Sequence, residues 1–309
     1  KSLKSINKFY YDNNQIPFKL YFLASIVNCF EHEELKILYK LGFDNWKKIS
    51  AFNPELQTLY IHQKNRINYP NECQKIIAKI GDKYKLYELV PEKYKVPIFV
   101  IKDSQHNNFY PDWWKEYLNK SGLILKPIFG SKKQGVIRFR YREGKLIIQR
   151  FFGTNSYKSI EFVDEYFSIQ RIFQIWQESY KKNLDALVMP YLKNDSQLSK
   201  YFPSIVIRII TFLNFKSNHI SCSNAWLEIF NVKDKEVFLS ENGIKLSFCR
   251  KNRNYQYSSL NLNDFERQLI TQCKEGSIEI HSKLDLIDSV AFDWVPTKDG
   301  PKFLEANSC

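Results

Sequence analysis

The spacing of apolar residues changes character near Pro91, and that change limits what the chain can fold into. Upstream, apolar residues recur every three or four positions over 16–30, 33–41 and 45–50, as they do along one face of a helix. A further stretch, 71–89, reads as one or two helices with a break at Gly81. No alternation of strands and helices occurs there, which argues against a parallel nucleotide-binding unit at the N-terminus. Downstream the pattern becomes that of strands: 96–101, 122–128, 136–141, 145–151, 187–192, 204–213 and 219–230 are apolar, β-branched or alternating. Helices are expected at 112–119, with Asp112 as N-cap, at 163–180 and at 262–274. Residues 231–260 are polar and basic and carry no assignable period. Pro190 should mark a strand edge or exit. Helices first, then strands joined by hairpins, predict an α+β fold with antiparallel sheets behind a helical N-terminal region.

Glycine is scarce, and its placement is informative. The chain has 10 glycines in 309 residues, and Gly122, Gly130, Gly135, Gly144 and Gly153 crowd into one short region. Where glycine is rare, such a cluster marks backbone that bends or approaches something closely. Within it, Lys126 ends a strand and the loop FGSKKQG, 129–135, follows. Backbone amides of a loop with two glycines, a serine and two lysines can cradle phosphates. It is not a P-loop, because the GK[ST] ending and the following helix are missing. A plain hairpin turn is the alternative. The next strand alternates strictly, with Arg138 and Arg140 on one face and Ile137, Phe139 and Tyr141 on the other.

The chain carries a formal net charge of +13. Nucleic acid, a membrane surface and small anionic substrates are its possible partners. Abundant Lys, Asn, Ile and Tyr also fit AT-rich codon bias. The most apolar stretch, 20–30, is too short to span a bilayer, so no membrane span is expected. Six cysteines form no CxxC pair and no metal spacing with the scattered histidines, which predicts free thiols and a cytoplasmic setting.

The C-terminal segment concentrates the chemistry. A hairpin over 290–307 is expected, turning at Lys298-Asp299-Gly300 with Gly300 left-handed. Glu305 and Asn307 then share a face, and outward counting sets Asp293 opposite Glu305. Two carboxylates and an amide oxygen suit Mg²⁺, whereas without a cation such carboxylates repel. A solvated hairpin face is the other reading. Arg208 stands inside the apolar run SIVIRIITFL, where a charge is costly unless it snorkels to an edge or meets an anion.

Taken in order, Lys83, the strand ending LKP, GS..QG, VMPYL, Arg208 and FDWVPTKDGPKFLEAN resemble the ATP-grasp superfamily, most closely its sugar-transfer-associated branch. The resemblance covers about 81–309 and implies two α+β subdomains with antiparallel sheets enclosing ATP. It divides the chain into a helical region at 1–78, a small subdomain at 79–190 and a large one at 191–309. Helices stand where the superfamily usually has an N-terminal α/β subdomain.

The resemblance also implies residue roles. Lys83 and Lys126 contact the α- and β-phosphates, and Gly130, Ser131 and Gly135 cover them. Met189, Pro190, Tyr191 and Leu192 line the adenine, and Asp195 accepts from the ribose. Arg208 steadies the γ-phosphoryl group, and Asp293, Glu305 and Asn307 hold one or two Mg²⁺. The implied activity is an ATP-dependent carboxylate–amine ligase working through an acyl phosphate. A carboxylate-bearing substrate and an amine acceptor are its partners, in the setting of cell-surface polysaccharide assembly, with no nucleic acid. An ATP-grasp kinase, or a basic polyanion-binding protein with a non-catalytic nucleotide site, are the alternatives.

Overall fold

The computed structural model describes residues 81–102, 111–129, 135–143, 145–150, 173–174, 176–177, 185–194, 205–214, 217–223, 225–229, 235–241, 243–249, 254–284, 287 and 289–308. The helices expected before residue 81 lie outside them, as does most of the one expected at 163–180. The chain is a mixed α+β protein in which every strand pairing with a described register is antiparallel. It divides into two compact units. One takes the described part of Ile77–Lys193 together with Lys302–Asn307, and the other takes Asn194–Pro301 with Ser308.

The first unit is built on a five-stranded sheet. Its strands are β1 (Phe99–Ile101), β2 (Leu123–Pro127), β3 (Ile137–Arg142), β4 (Lys145–Arg150) and β5 (Ala186–Pro190), in the order β1-β5-β2-β3-β4. Two short helices, α1 (Lys83–Glu88) and α2 (Trp113–Lys120), belong to it. Trp114 and Leu118 of α2 pack with Leu123, Leu125, Ile137, Phe139, Ala186 and Val188 into a buried core. The alternation read from the sequence holds on β3, where Ile137 and Phe139 are buried and Arg138 and Arg140 only partly so. Pro190 is an exit rather than an edge. It closes β5 opposite Leu123, and β5 lies between β1 and β2. Asp112 stands at the N-cap position of α2 as expected, but its backbone is helical and its side chain makes no capping hydrogen bond.

Gly122 explains part of the glycine cluster. Its φ of +89° lies in the left-handed region, and a Cβ there would stand 2.7 Å from the Phe139 carbonyl oxygen. Only glycine lets the start of β2 pass this close to β3.

The second unit carries strands in the order β11-β10-β9-β8-β6-β12, with β7 also pairing with β6; β13 follows β12 through a turn, and its residues Lys302–Asn307 belong to the first unit. These strands are β6 (Ile205–Asn214), β7 (His219–Cys222), β8 (Trp226–Ile229), β9 (Lys235–Ser240), β10 (Ile244–Cys249), β11 (Asn254–Ser259), β12 (Ser289–Thr297) and β13 (Gly300–Ser308). The unassigned 231–260 region is thus a three-stranded meander at one side of the sheet. The single strand expected at 219–230 is corrected to β7 and β8. Thr211 pairs with Cys222, whereas Arg208 pairs with Trp226. Between these two pairs β6 has two residues and the other side three, one too many, which is a β-bulge. Ser223 holds it: its N–H donates to the Ile210 carbonyl at 2.7 Å, and its Oγ accepts from the Ile210 N–H at 3.1 Å.

Helix α3 (Asp264–His281) packs on this sheet and outruns the expected end at 274. Asn263 and Glu266 form a capping box at its start. Gly276 and Ser277, in the added turns, are both buried. The Ser277 hydroxyl donates to the Cys273 carbonyl at 2.8 Å and accepts from the Trp294 indole N–H at 2.9 Å, so small size here serves contact with β12. At the far end, His281 Nε2–H donates to the Ile287 carbonyl at 2.8 Å. In the neutral ring Nδ1 then accepts from the Thr211 hydroxyl at 2.6 Å. The β12–β13 turn places Lys298 and Asp299 between the strands, and Gly300, at φ +94°, opens β13.

Candidate functional site

Within the first unit, β2 has two chemically different faces. Leu123 and Leu125 join the α2 core, so Ile124 and Lys126 point to the other face. Register adds Leu187 and Met189 from β5 and Arg138 from β3 to that face. Lys126 is only 4% exposed. Its ammonium donates to the Leu304 carbonyl at 3.1 Å and stands 3.6 Å from Glu305 Oε2. A buried lysine is tolerable only with such partners.

Lys83 joins this pair. Asp82 caps α1 by accepting from the Tyr84 and Lys85 N–H groups, and the Lys83 N–H donates to the Ile128 carbonyl just past β2. Burial, reinforced by the neighbouring Lys126 charge and opposed by Glu305, holds the Lys83 ammonium below its ordinary pKa. Two lysines and one carboxylate therefore form an anion-seeking cluster in this unit. Glu305 and Asn307 share a face of β13 by alternation.

At the end of β5, Met189 is buried and Tyr191 and Leu192 are partly exposed. The Tyr191 N–H donates to the Gly122 carbonyl at 2.9 Å, and the Arg138 guanidinium lies 3.6 Å above the Tyr191 ring. Arg138 also donates to the Ser121 carbonyl at 2.7 Å. Sequence reading missed this contact, because positions 138 and 191 meet only once β5 is known to pair beside β2. Gly135 has φ +71°, and its carbonyl accepts the buried Trp176 indole N–H, which anchors the end of the glycine loop. Gly130, Ser131 and Asp195 lie outside the described residues.

In the second unit, Arg208 on β6 and Asp293 on β12 are direct cross-strand partners. Nε reaches Oδ1 at 2.8 Å and Nη2 reaches Oδ2 at 3.1 Å, a bidentate pair. Asp293 is 4% exposed and the Arg208 side chain 23%. The arginine among isoleucines thus meets an anion instead of snorkelling away. Trp226 faces Arg208 from β8, a neighbour that appears only when the bulge is counted.

Among the described residues no three His, Cys, Asp or Glu side chains gather at a metal-binding spacing. The expected set differs in kind, being two carboxylates and one amide. Asp293 and Glu305 each stand beside a cation, and their hard oxygens fit Mg²⁺. Their convergence with Asn307 remains an expectation from the hairpin. No described helix is long and apolar enough to cross a membrane.

No family model matches the chain, and no curated protein sequence matches it. Solved structures do. D-alanine–D-alanine ligase from Bacillus anthracis matches at 12% identity over 74% of this chain and 56% of that one, with a TM-score of 0.41. N5-carboxyaminoimidazole ribonucleotide synthetase in its ADP complex matches at 9% identity over 75% and 45%, with a TM-score of 0.44. D-cycloserine synthetase matches at 14% identity over 82% and 72%, with a TM-score of 0.42. The chain spans about half the length of the first two, at 56% and 45%.

Proposed function

We propose that the chain is an ATP-grasp enzyme that activates a carboxylate with ATP and joins it to an amine. The observation that carries this reading is the cluster of buried Lys126 and partly buried Lys83 around the Glu305 carboxylate. In this reading Lys83 and Lys126 take the α- and β-phosphates, and Gly130, Ser131 and Gly135 close over them. Met189, Pro190, Tyr191 and Leu192 line the adenine, with Asp195 at the ribose. Two subdomains, 79–190 and 191–309, grasp the nucleotide.

Asp293, Glu305 and Asn307 would hold one or two Mg²⁺, which spread the negative charge of the phosphates when bound. Arg208, aligned by Asp293, steadies the transferring phosphoryl group. The substrate carboxylate attacks the γ-phosphorus, ADP departs, and an acyl phosphate results. An amine then attacks the acyl carbon and inorganic phosphate leaves. Neither step needs a covalent enzyme intermediate. A sugar acid or amino acid bound for a cell-surface glycan is the proposed substrate class, handled in the cytoplasm where ATP is supplied.

The polyanion reading loses support on the basic hairpin itself. Arg138 is committed to Tyr191 and Ser121, and Arg142 pairs with Glu143 at 3.1 Å. Thermal unfolding with ATP and Mg²⁺ tests the nucleotide site: the wild type should be stabilised, and Lys83→Met and Asn307→Ala far less. Equal stabilisation of all three removes the assignment. Hydroxylamine trapping then separates ligase from kinase, since an acyl phosphate yields a hydroxamate and a phosphorylated alcohol does not.

A further inference from the structure

The two groups assigned above to opposite partners, Lys126 to phosphate and Glu305 to a divalent cation, are paired with each other at 3.6 Å. We propose that this pair is an electrostatic lock that makes metal and nucleotide binding depend on one another. The inference rests on the nucleotide-site reading and specifies how that site is loaded.

Each ligand alone opens the pair at a loss. Metal-free ATP must draw Lys126 away and leaves the Glu305 carboxylate facing the polyphosphate, a like-charge contact. A divalent cation alone must take Glu305 and leaves Lys126 and Lys83 unscreened beside it. When both arrive, the carboxylate moves to the metal and the ammonium to the phosphate, so every charge keeps an opposite partner. The poor solvent access of Lys126, whose side chain is 5% exposed, makes the exchange count, because water screens little there. Coupling of this kind is reciprocal: whatever the metal adds to nucleotide affinity, the nucleotide adds to metal affinity. The Leu304 carbonyl, 3.1 Å from the Lys126 ammonium, holds the lysine in place when Glu305 is neutralised. Removing the carboxylate should therefore release the lysine for phosphate without displacing it. Arg208 and Asp293 form a second pair of the same composition in the other unit.

The test is calorimetric titration of the full chain with ATP, once in EDTA and once in excess Mg²⁺. Glu305→Gln should bind metal-free ATP about tenfold more tightly than the wild type, and the gain from Mg²⁺ should shrink by a similar factor. The reciprocal arm titrates Mn²⁺ without nucleotide. Lys126→Gln should bind it more tightly than both the wild type and Lys83→Gln, which removes a cation but leaves Glu305 paired. Circular dichroism checks folding, and if Glu305→Gln does not fold the Mn²⁺ arm decides. A folded Glu305→Gln that binds metal-free ATP no tighter, or a Lys126→Gln no better than Lys83→Gln, overturns the lock and leaves the nucleotide reading standing. A wild type that binds no ATP even with Mg²⁺ overturns that reading, and the lock with it.

Discussion

Replacing Arg208 by Met tests whether the β6–β12 ion pair holds its unit together. Asp293 is 4% exposed, and both of its oxygens accept from the guanidinium, at 2.8 and 3.1 Å. Removing the arginine leaves a buried carboxylate facing methionine. Loss of one partner of a buried pair costs about 3–5 kcal/mol, and the 23% exposure of the Arg208 side chain argues for the low end, about 3 kcal/mol. Asp293→Leu should cost less, about 2 kcal/mol, because the guanidinium keeps some water. The double variant Arg208→Met/Asp293→Leu carries no stranded charge and should lose only about 1–2 kcal/mol, a coupling of about 3–4 kcal/mol. The chain divides into two units, so one global midpoint is a poor measure. Native-state hydrogen exchange of the nucleotide-free protein reads each unit separately. Protection should fall at β6 and β12 and persist at β2 and β5. A coupling below about 0.5 kcal/mol, or equal loss in both units, refutes the reasoning.

Two further outcomes follow from single positions. Gly122→Ala forces a side chain into left-handed backbone and against the Phe139 carbonyl, and should destabilise the first unit by about 2 kcal/mol or more, read as lost protection at β2 and β3. Lys83→Met should raise the stability of the empty protein near neutral pH while weakening ATP binding. The sign follows from linkage: the folded Lys83 gives up its proton more readily than the unfolded one, so the unfolded chain binds more protons. Its penalty is fully present below the folded pKa and fades as pH rises towards the ordinary value of 10.5. Unfolding at pH 7 and pH 10 should show the wild type gaining on Lys83→Met. No such convergence would show that Lys83 is not strained.

What was legible in the sequence was local. The Asp299-Gly300 turn and the alternation through Ile137–Tyr141 depend on near neighbours, and the structure follows both. Lys83, Lys126 and Glu305 could be suspected singly, but their meeting depends on Lys302–Asn307 grouping with the first unit rather than the second. No local period announces that. The end of α3 is not local either: the helix runs on to His281, and within that extension Ser277 is tied by its hydroxyl to Trp294 on another element. The β9–β11 meander escaped because its polar and basic residues show no alternation of apolar and polar positions.

The extra residue at 223–225 sets which side of the sheet everything beyond it occupies. Counted without it, Ala225 would stand beside Arg208 and Trp226 would turn to the face that packs on α3. Deleting any one of the three positions would force a choice. Either the segment straightens and Trp226 leaves the arginine, or β8 slides one step and drags the register of β9 with it. Length at this spot should therefore be far less tolerant than side-chain identity, and a library of substitutions at 223–225 should outlive one of single-residue deletions.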